Sequence, residues 1–276
     1  MAIPQSEIYS RVIDQPFESE SYTKELEGNS KNIKFEKGSK TVKVSTVSTE
    51  GTVVAHNASK TYSAQLAEIT NVNATQNTYT LDQSFKITQF IDKEYTITNQ
   101  SITGGAIVLQ AITSEQLIPK IDAYRLAVLA GVAESTTQTV TATADGYKDF
   151  LKARAFLINS RLGKNMIAYV GTATADSIRL SDTFKPATSG LEDSMRTGTI
   201  GKVAGISVKE VPADLMPSKV GAVIVNPEIV SAPRFLDDVR IEKAAGAFGE
   251  LILALYIYTC VVSKPKQKGI ATIKTA

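Results

Sequence analysis

Reactive side chains are scarce in this sequence. Histidine occurs once, at His56, and cysteine once, at Cys260. A single cysteine excludes an intramolecular disulfide and fits folding in a reducing compartment. The common zinc sites need more His and Cys ligands than these two residues supply. They are also the only material for a thiol–imidazole pair. Cys260 stands in an apolar stretch, where a thiol is ordinarily inert, and His56 stands in the polar run Ala55 to Ser59. Phosphate-binding loops are missing as well. Gly38-Ser39-Lys40-Thr41 lacks the earlier glycine and the Gly-Lys step, and Gly198, Gly201 and Gly205 have the wrong spacing for a dinucleotide fingerprint. There is no Gly-x-Ser-x-Gly elbow. The inventory predicts a protein that is not an enzyme and has no cofactor or metal site.

An excess of one charge is lacking too. Thirty basic against twenty-eight acidic side chains leave +2, where sequence-specific nucleic-acid binders carry a strong basic excess. The start, Met1 to Glu7, has neither the basic residues nor the apolar run of a signal peptide. No stretch approaches the ~20 apolar residues of a membrane span. The longest apolar run, Leu251 to Val262, is interrupted by Thr259 and reads as a buried strand.

What is present is an uneven chain. Its 276 residues, 43% of them apolar and 21% charged, suffice for one or two domains with a sizeable core. The apolar residues are not spread evenly. Residues 1–30 are polar, hold Pro4 and Pro16, and have no sustained period. Residues 33–99 alternate with a strand period at Val42 and Val44, Tyr79 and Leu81, Phe85 and Ile87, and Tyr95 and Ile97. The sequence between is rich in Thr, Ser, Asn and Ala, and a ribbon of this kind is marginal alone in water.

A helix follows over 113–132. Leu117, Ile121, Tyr124 and Val128 share one face, Thr113 and Gln116 have capping-box spacing, Pro119 falls in the first turn, and Gly131 is the expected stop. From 145 the pattern is α/β. Asp145 caps a helix with Tyr147, Phe150, Leu151, Leu157, Ile158 and Leu162 on its apolar side and Gly163 at its end. Met166–Val170, Ile206–Val211 and Ala222–Val225 read as short buried strands. Asn226-Pro227 predicts a helix start, with Ile229, Val230 and Phe235 on that helix and Pro233 bending or ending it. A β pair, Leu251–Ser263 with Gly269–Lys274, closes the chain.

Two charge blocks adjoin one another. Asp14, Glu18, Glu20, Glu25 and Glu27 against Lys24 leave −4, and Lys31, Lys34, Lys37, Lys40 and Lys43 against Glu36 leave +4. Three readings stand side by side: two solvated faces, the acidic arm of one subunit on the basic ribbon of another, or lysines facing packaged nucleic acid. On the second reading, reversing the five lysines blocks assembly and reversing the five acids as well partly restores it.

Taken in order, these parts resemble the major capsid proteins of tailed bacteriophages, whose Hong Kong 97-type fold is shared with encapsulins. The strings that carry the likeness are Tyr79-Thr80-Leu81, Phe85 to Glu94, Ile118 to Arg125, Gly221 to Asn226, Gly249-Glu250 leading to Tyr256 and Tyr258, and Lys268-Gly269-Ile270. The resemblance implies an α+β fold with an N-terminal arm (1–32), an extended β-hairpin loop (33–99) and a peripheral domain with a long spine helix (100–135). An axial α/β domain (136–250) and strands returning to the peripheral domain (251–276) complete it.

As function, the resemblance implies an icosahedral shell built through pentamers and hexamers around double-stranded DNA. The shell would assemble in the host bacterial cytoplasm and end in the virion, with a separate scaffolding protein, a portal, nonspecific contact with DNA and no membrane. The alternative is an encapsulin-like compartment around protein cargo. An adhesin or tail component is a third reading, and an enzyme comes last. Expected assembly contacts are the five lysines, Phe85, Phe90, Tyr124, Asp122 and Arg125 (across the shell, or as a local salt bridge), and Arg234, Asp237, Asp238 and Arg240 between axial domains. Two departures stand out. Thr259 and Cys260 follow Tyr258 where relatives often carry an acidic residue, and no long charged helical region precedes the arm, so scaffolding falls to a separate protein or to a region already removed.

Overall fold

The computed structural model describes residues 21–27, 33–35, 41–47, 74–80, 83–92, 105–181, 201–243 and 246–275. They fall into two units, Ser30–Asp82 and a larger one made of Met1–Asn29 with Gln83–Ala276.

The smaller unit is an antiparallel ribbon of β1 (Ile33–Phe35), β2 (Thr41–Val47) and β3 (Ala74–Thr80) in that order. Ile33 lies opposite Val44 and Phe35 opposite Val42, while β2 and β3 pair from Thr41 and Thr80 to Val47 and Ala74. The expected β excursion over 33–99 is therefore divided. Its strand β4 (Gln83–Asp92), with Phe85 and Ile87, belongs to the larger unit. Tyr95 and Ile97 lie outside the described residues.

The larger unit is organised around a helical run: α1 (Gly105–Ile112), a π-helical turn (Thr113–Leu117) and α2 (Ile118–Ser135). Thr113 caps nothing. Its hydroxyl donates back to the Leu109 carbonyl at 2.7 Å and lies 3.0 Å from the Tyr256 hydroxyl, the back-bonding that mid-helix Thr residues adopt. The helix also runs past Gly131. It closes at Thr137, in the left-handed region at φ 57°, with the Gln138 and Thr137 N–H groups returning to the Ala133 and Glu134 carbonyls at 2.9 and 3.1 Å. These are the paired bonds of a Schellman end, built without glycine.

Next come β5 (Thr139–Thr141), α3 (Gly146–Asn159), β6 (Ile167–Gly171), α4 (Thr172–Arg179), β7 (Lys202–Val203), β8 (Ile206–Val211) and β9 (Val220–Val225). Asp145 caps α3 as its spacing predicts, accepting from the Lys148 N–H at 3.2 Å. The helix stops four residues before Gly163, because Arg161 takes the left-handed turn at φ 59°. After Asn226-Pro227 only one 3₁₀ turn forms, Pro227–Ile229, and the chain then enters β10 (Val230–Ser231) and β11 (Arg234–Lys243). Val230 pairs with Val262 instead of extending a helix, and Pro233 could not have continued one.

The remaining strands are β12 (Gly249–Tyr258), β13 (Val261–Val262) and β14 (Ile270–Lys274). The expected pairing of the last two long segments does not occur: β12 lies between β11 and β4, whereas β14 enters a six-stranded sheet. That sheet has the order β5-β14-β9-β6-β8-β7, with β14 parallel to β5 and antiparallel to β9.

Strand periodicity divides the core between the two faces of this sheet. Ala168, Val170, Ala222, Ile224, Ala271 and Ile273 meet Phe150, Ala153 and Leu157 of α3 and Ile178 of α4. Tyr169, Val223, Val225 and Ile270 meet Leu126, Leu129 and Ala133 of α2. A third cluster joins the other sheet to the helical run, where Ala254, Tyr256 and Tyr258 lie on Leu117 and Ile121.

Candidate assembly surfaces

Asp122 and Arg125 organise the best-defined polar site. The Asp122 carboxylate accepts hydrogen bonds from the hydroxyls of Ser21 (2.7 Å) and Thr23 (2.6 Å) and from the Tyr22 N–H (2.9 Å). Arg125 donates to the Thr23 hydroxyl at 2.9 Å and to Glu27 and the Ala232 carbonyl at 2.8 Å each. Both residues are fully buried. Charges removed from water are tolerated only when paired and hydrogen-bonded in this way. Beside them Leu26 is also fully buried, in the cluster of Leu126, Leu129 and Tyr169, a burial that contributes about 1.5–3 kcal/mol. Burial, with Glu25 and Asp122 adding to it, pushes the Tyr169 phenol well above its ordinary value.

An aromatic seam adjoins the same stretch of α2. Phe85 stacks on Tyr258 with centroids 5.7 Å apart, Tyr124 meets Tyr258 edge-on at 5.4 Å, and the Lys120 ammonium sits 5.6 Å from the Phe85 ring centre. Along β12 the buried residues alternate with half-exposed Leu251, Leu253, Leu255 and Ile257. Phe248, at the turn into β12, is 86% exposed.

No family model matches this sequence, and none of the curated proteins does. Solved structures do. The capsid of the cyanophage P-SCSP1u superposes with a TM-score of 0.66 at 11% identity, over 94% of this chain and 89% of that one. The mature capsid of bacteriophage PhiM1 gives 0.64 at 12% identity, over 95% and 89%. The chain has the Hong Kong 97-type capsid fold. A virus-like particle from Pyrococcus furiosus shares this capsid fold, with a TM-score of 0.56 at 10% identity over 99% and 100% of the two chains.

The capsid fold places the sequence-predicted residues in different settings. Asp122 and Arg125 are used inside the chain, where they grip residues 21–27 and stand 3.9 Å apart, as the local alternative to a contact across the shell has them. Phe85 and Tyr124 likewise fill the seam with Tyr258. Phe90, by contrast, is 40% exposed on β4. Arg234, Asp237, Asp238 and Arg240 lie on β11, in the three-stranded sheet and not in the six-stranded one. Asp237 falls at a register shift between Leu236 and Asp238, the mark of a β-bulge. Arg234 approaches Glu27 to 3.8 Å. Lys34 and Lys43 are cross-strand partners on the ribbon. Lys31, Lys37 and Lys40 lie outside the described residues, as does His56.

Sequence reasoning missed the segment 21–27 as part of the fold. The available signal was Leu26, a lone large aliphatic in an acidic stretch. Two of the acids counted with the arm are engaged within the chain, Glu27 by Arg125 and Glu25 by Lys209. The perturbed carboxylates of the capsid fold serve structure. Burial alone would raise Asp149, yet the backbone N–H and hydroxyl of Thr143 together with Lys152 outweigh it and hold the carboxyl below its ordinary range. Among the described residues no group of three or more His, Cys, Asp or Glu could hold a metal ion, and no helix is long and apolar enough to cross a membrane. Cys260 is buried.

Proposed function

We propose that this chain is a major capsid protein that assembles through pentamers and hexamers into an icosahedral shell around double-stranded DNA. One observation carries the reading: the likeness to phage capsid structures runs over 94–95% of the chain. A fold by itself does not fix a function. Three features of the chain support the step. Reactive groups are scarce, the first twenty residues are rich in polar side chains, and a three-stranded ribbon leaves edges and faces that a neighbour can cover.

In this reading the six-stranded sheet with α3 and α4 is the axial domain, around which rings form. The helical run with β4, β11 and β12 is the peripheral domain. The last strand then belongs to the axial side, contrary to the boundaries drawn from sequence. The ribbon lysines would contact packaged DNA without sequence preference, and scaffolding and portal functions would come from separate proteins. The site of action is the virion, with assembly in the host cytoplasm.

A second reading is favoured by the Pyrococcus virus-like particle, matched over nearly all of both chains: a protein compartment around protein cargo. Expression alone and with a candidate scaffold, followed by light scattering and negative-stain electron microscopy, tests both. Closed shells, or capsomers that close on adding scaffold, are expected, and nuclease-protected DNA against protein inside separates container from compartment. A stable monomer at high concentration under both conditions overturns the shell.

A further inference from the structure

One end of the six-stranded sheet gathers positive charge. Ile167 of β6 and Ile270 of β14 both pair with Val225 of β9. The segments entering β6 and β14 and the segment leaving β9 therefore converge there. These segments, 160–166, 226–229 and 263–269, carry Arg161, Lys164, Lys264, Lys266 and Lys268 against Glu228, a balance of +4 where the whole chain has +2. Hydrogen bonds hold them side by side. The Asn226 amide donates to the Leu162 carbonyl at 3.0 Å, its backbone N–H to the Gly269 carbonyl at 3.2 Å, and the Ser263 N–H to the Ile229 carbonyl at 3.1 Å. The lysines thus project from a 3₁₀ segment (Lys264–Gly269) tied down at both ends. All five cations are exposed, and none has a carboxylate partner among the described residues. By contrast Lys148, Lys152, Arg179, Lys209 and Lys274 each hold a carboxylate. Glu228 accepts from the Asn165 amide at 2.8 Å.

The backbone adds a second observation. Arg161 and Asn165 take the left-handed region at φ 59° and 49°, while Gly163 between them does not. A long side chain is strained there and glycine is not, so the loop keeps arginine where glycine would suit the chain better. Strain held in this way points to a use for the side chain. We propose that this patch grips the phosphate backbone of double-stranded DNA. The inference rests on the shell reading and adds a contact separate from the ribbon lysines. Exposed cations without protein partners are free to neutralise phosphates and release counterions. The three segments contain no aromatic side chain on which unpaired bases could stack, so a duplex suits them better than a single strand. A few phosphates per chain make a weak hold, and repetition over many copies makes it effective.

The test is a fluorescent duplex of random sequence titrated with the full chain, kept unassembled as light scattering shows, and read by anisotropy over a range of salt. Saturable binding is expected, with log affinity falling against log salt at a slope of about −3 to −4.5. Lys264→Gln with Lys266→Gln and Lys268→Gln should weaken binding about tenfold or more and make the slope shallower by about 2 to 3. Arg161→Gly should weaken binding while raising the melting temperature, opposite effects that an arginine with a purely structural role would not give. Lys148→Gln with Lys274→Gln, two lysines already claimed by carboxylates, should leave affinity nearly unchanged. Affinity and slope indifferent to the triple replacement, or lowered equally by the paired lysines, overturn the proposal. Polyglutamate that binds the patch more tightly than the duplex overturns DNA as its occupant. Shells of the triple variant that take up and retain DNA as the wild-type shells do overturn the patch while the shell reading stands. Patch-dependent duplex binding by a chain that never assembles upholds the patch while the shell reading falls.

Discussion

Asp122 and Arg125 stand 3.9 Å apart, one turn apart on α2, and neither is the other's main partner. The carboxylate is held by Ser21, Tyr22 and Thr23, and the two terminal nitrogens of the guanidinium by Thr23, Glu27 and Ala232, with the buried Nε left without a partner. The pair is a clasp for a segment a hundred residues away: removing Asp122 leaves the Ser21, Tyr22 and Thr23 donors without their acceptor in a dry site, and removing Arg125 leaves Glu27 and the Ala232 carbonyl without their donor.

Asp122→Ala is expected to destabilise the larger unit by about 3–5 kcal/mol, the range for breaking a buried pair. Urea unfolding measures the loss, and hydrogen exchange should show the Tyr22 and Leu26 amides losing protection first. Glu25→Ala is the contrast. Its pair with Lys209 is between half-exposed side chains, and its removal should cost less than about 1 kcal/mol. Equal losses from the two variants would refute the clasp.

The cap of α3 gives a pH dependence of definite sign. The Ser181 hydroxyl, 2.7 Å away, is the largest influence on Asp145; burial opposes it, the Lys148 contacts add to it, and the carboxyl falls to about 2. Its folded value lies below the unfolded value near 4. The contribution is therefore present at pH above about 4 and is lost as pH falls toward 2. The gap in melting temperature between the wild-type chain and Asp145→Ala should be constant near neutrality and shrink between those limits. A gap that widens on acidification would show the sign to be wrong.

Thr137 closes α2 with a β-branched side chain in the left-handed region, a conformation in which glycine has no steric penalty. Thr137 is exposed and its hydroxyl bonds only to the neighbouring Thr136 carbonyl. Thr137→Gly should raise stability by about 1 kcal/mol, read as a higher denaturation midpoint with an unchanged slope. Thr137→Ala, which keeps a Cβ, should recover little of that gain.

Gly249 opens β12 against β4. A Cβ there would overlap the Ile91 carbonyl oxygen and lie 2.7 Å from the Phe90 ring. Gly249→Ala should cost about 1–3 kcal/mol and loosen the pairing of Gly249 with Asp92. Adding Phe90→Ala should not restore the loss, because the Ile91 oxygen belongs to the backbone. Full restoration would place the conflict in the ring instead.

The sequence displayed its fold where local pattern and tertiary pairing agree. Phe150 and Leu157 faced the core at helical spacing, Asp145 capped the helix they lie on, and Ile206–Val211 appeared as a strand with its observed limits. It misled where the two disagree. Asn226-Pro227 is a sound local helix start, but Val230 has a strand partner in Val262 that no nearby residue announces. Thr113 and Gln116 have cap spacing inside a helix already under way, because α1 contains no polar periodicity to reveal it. Among candidate contacts, Asp122 and Arg125 were visible as a polar pair on an apolar helix. Their true partners were not, since Thr23 and Glu27 are joined to them only by folding. The outer place of β4 among the described strands of its sheet was equally hidden, because strand order is a property of pairing between segments far apart in sequence.

The position of β14 sets an order of events during synthesis. Its five residues are translated after every other strand of the six-stranded sheet, yet they lie second in it, between β5 and β9. A ribosome that stops before Ile270 leaves β5 with no partner and one side of β9 bare. Such a fragment exposes the surface where Ala271 and Ile273 should lie and cannot complete its core. The larger unit thus cannot close its sheet until Ile270–Lys274 have left the ribosome, which makes its folding a check on how far translation has run.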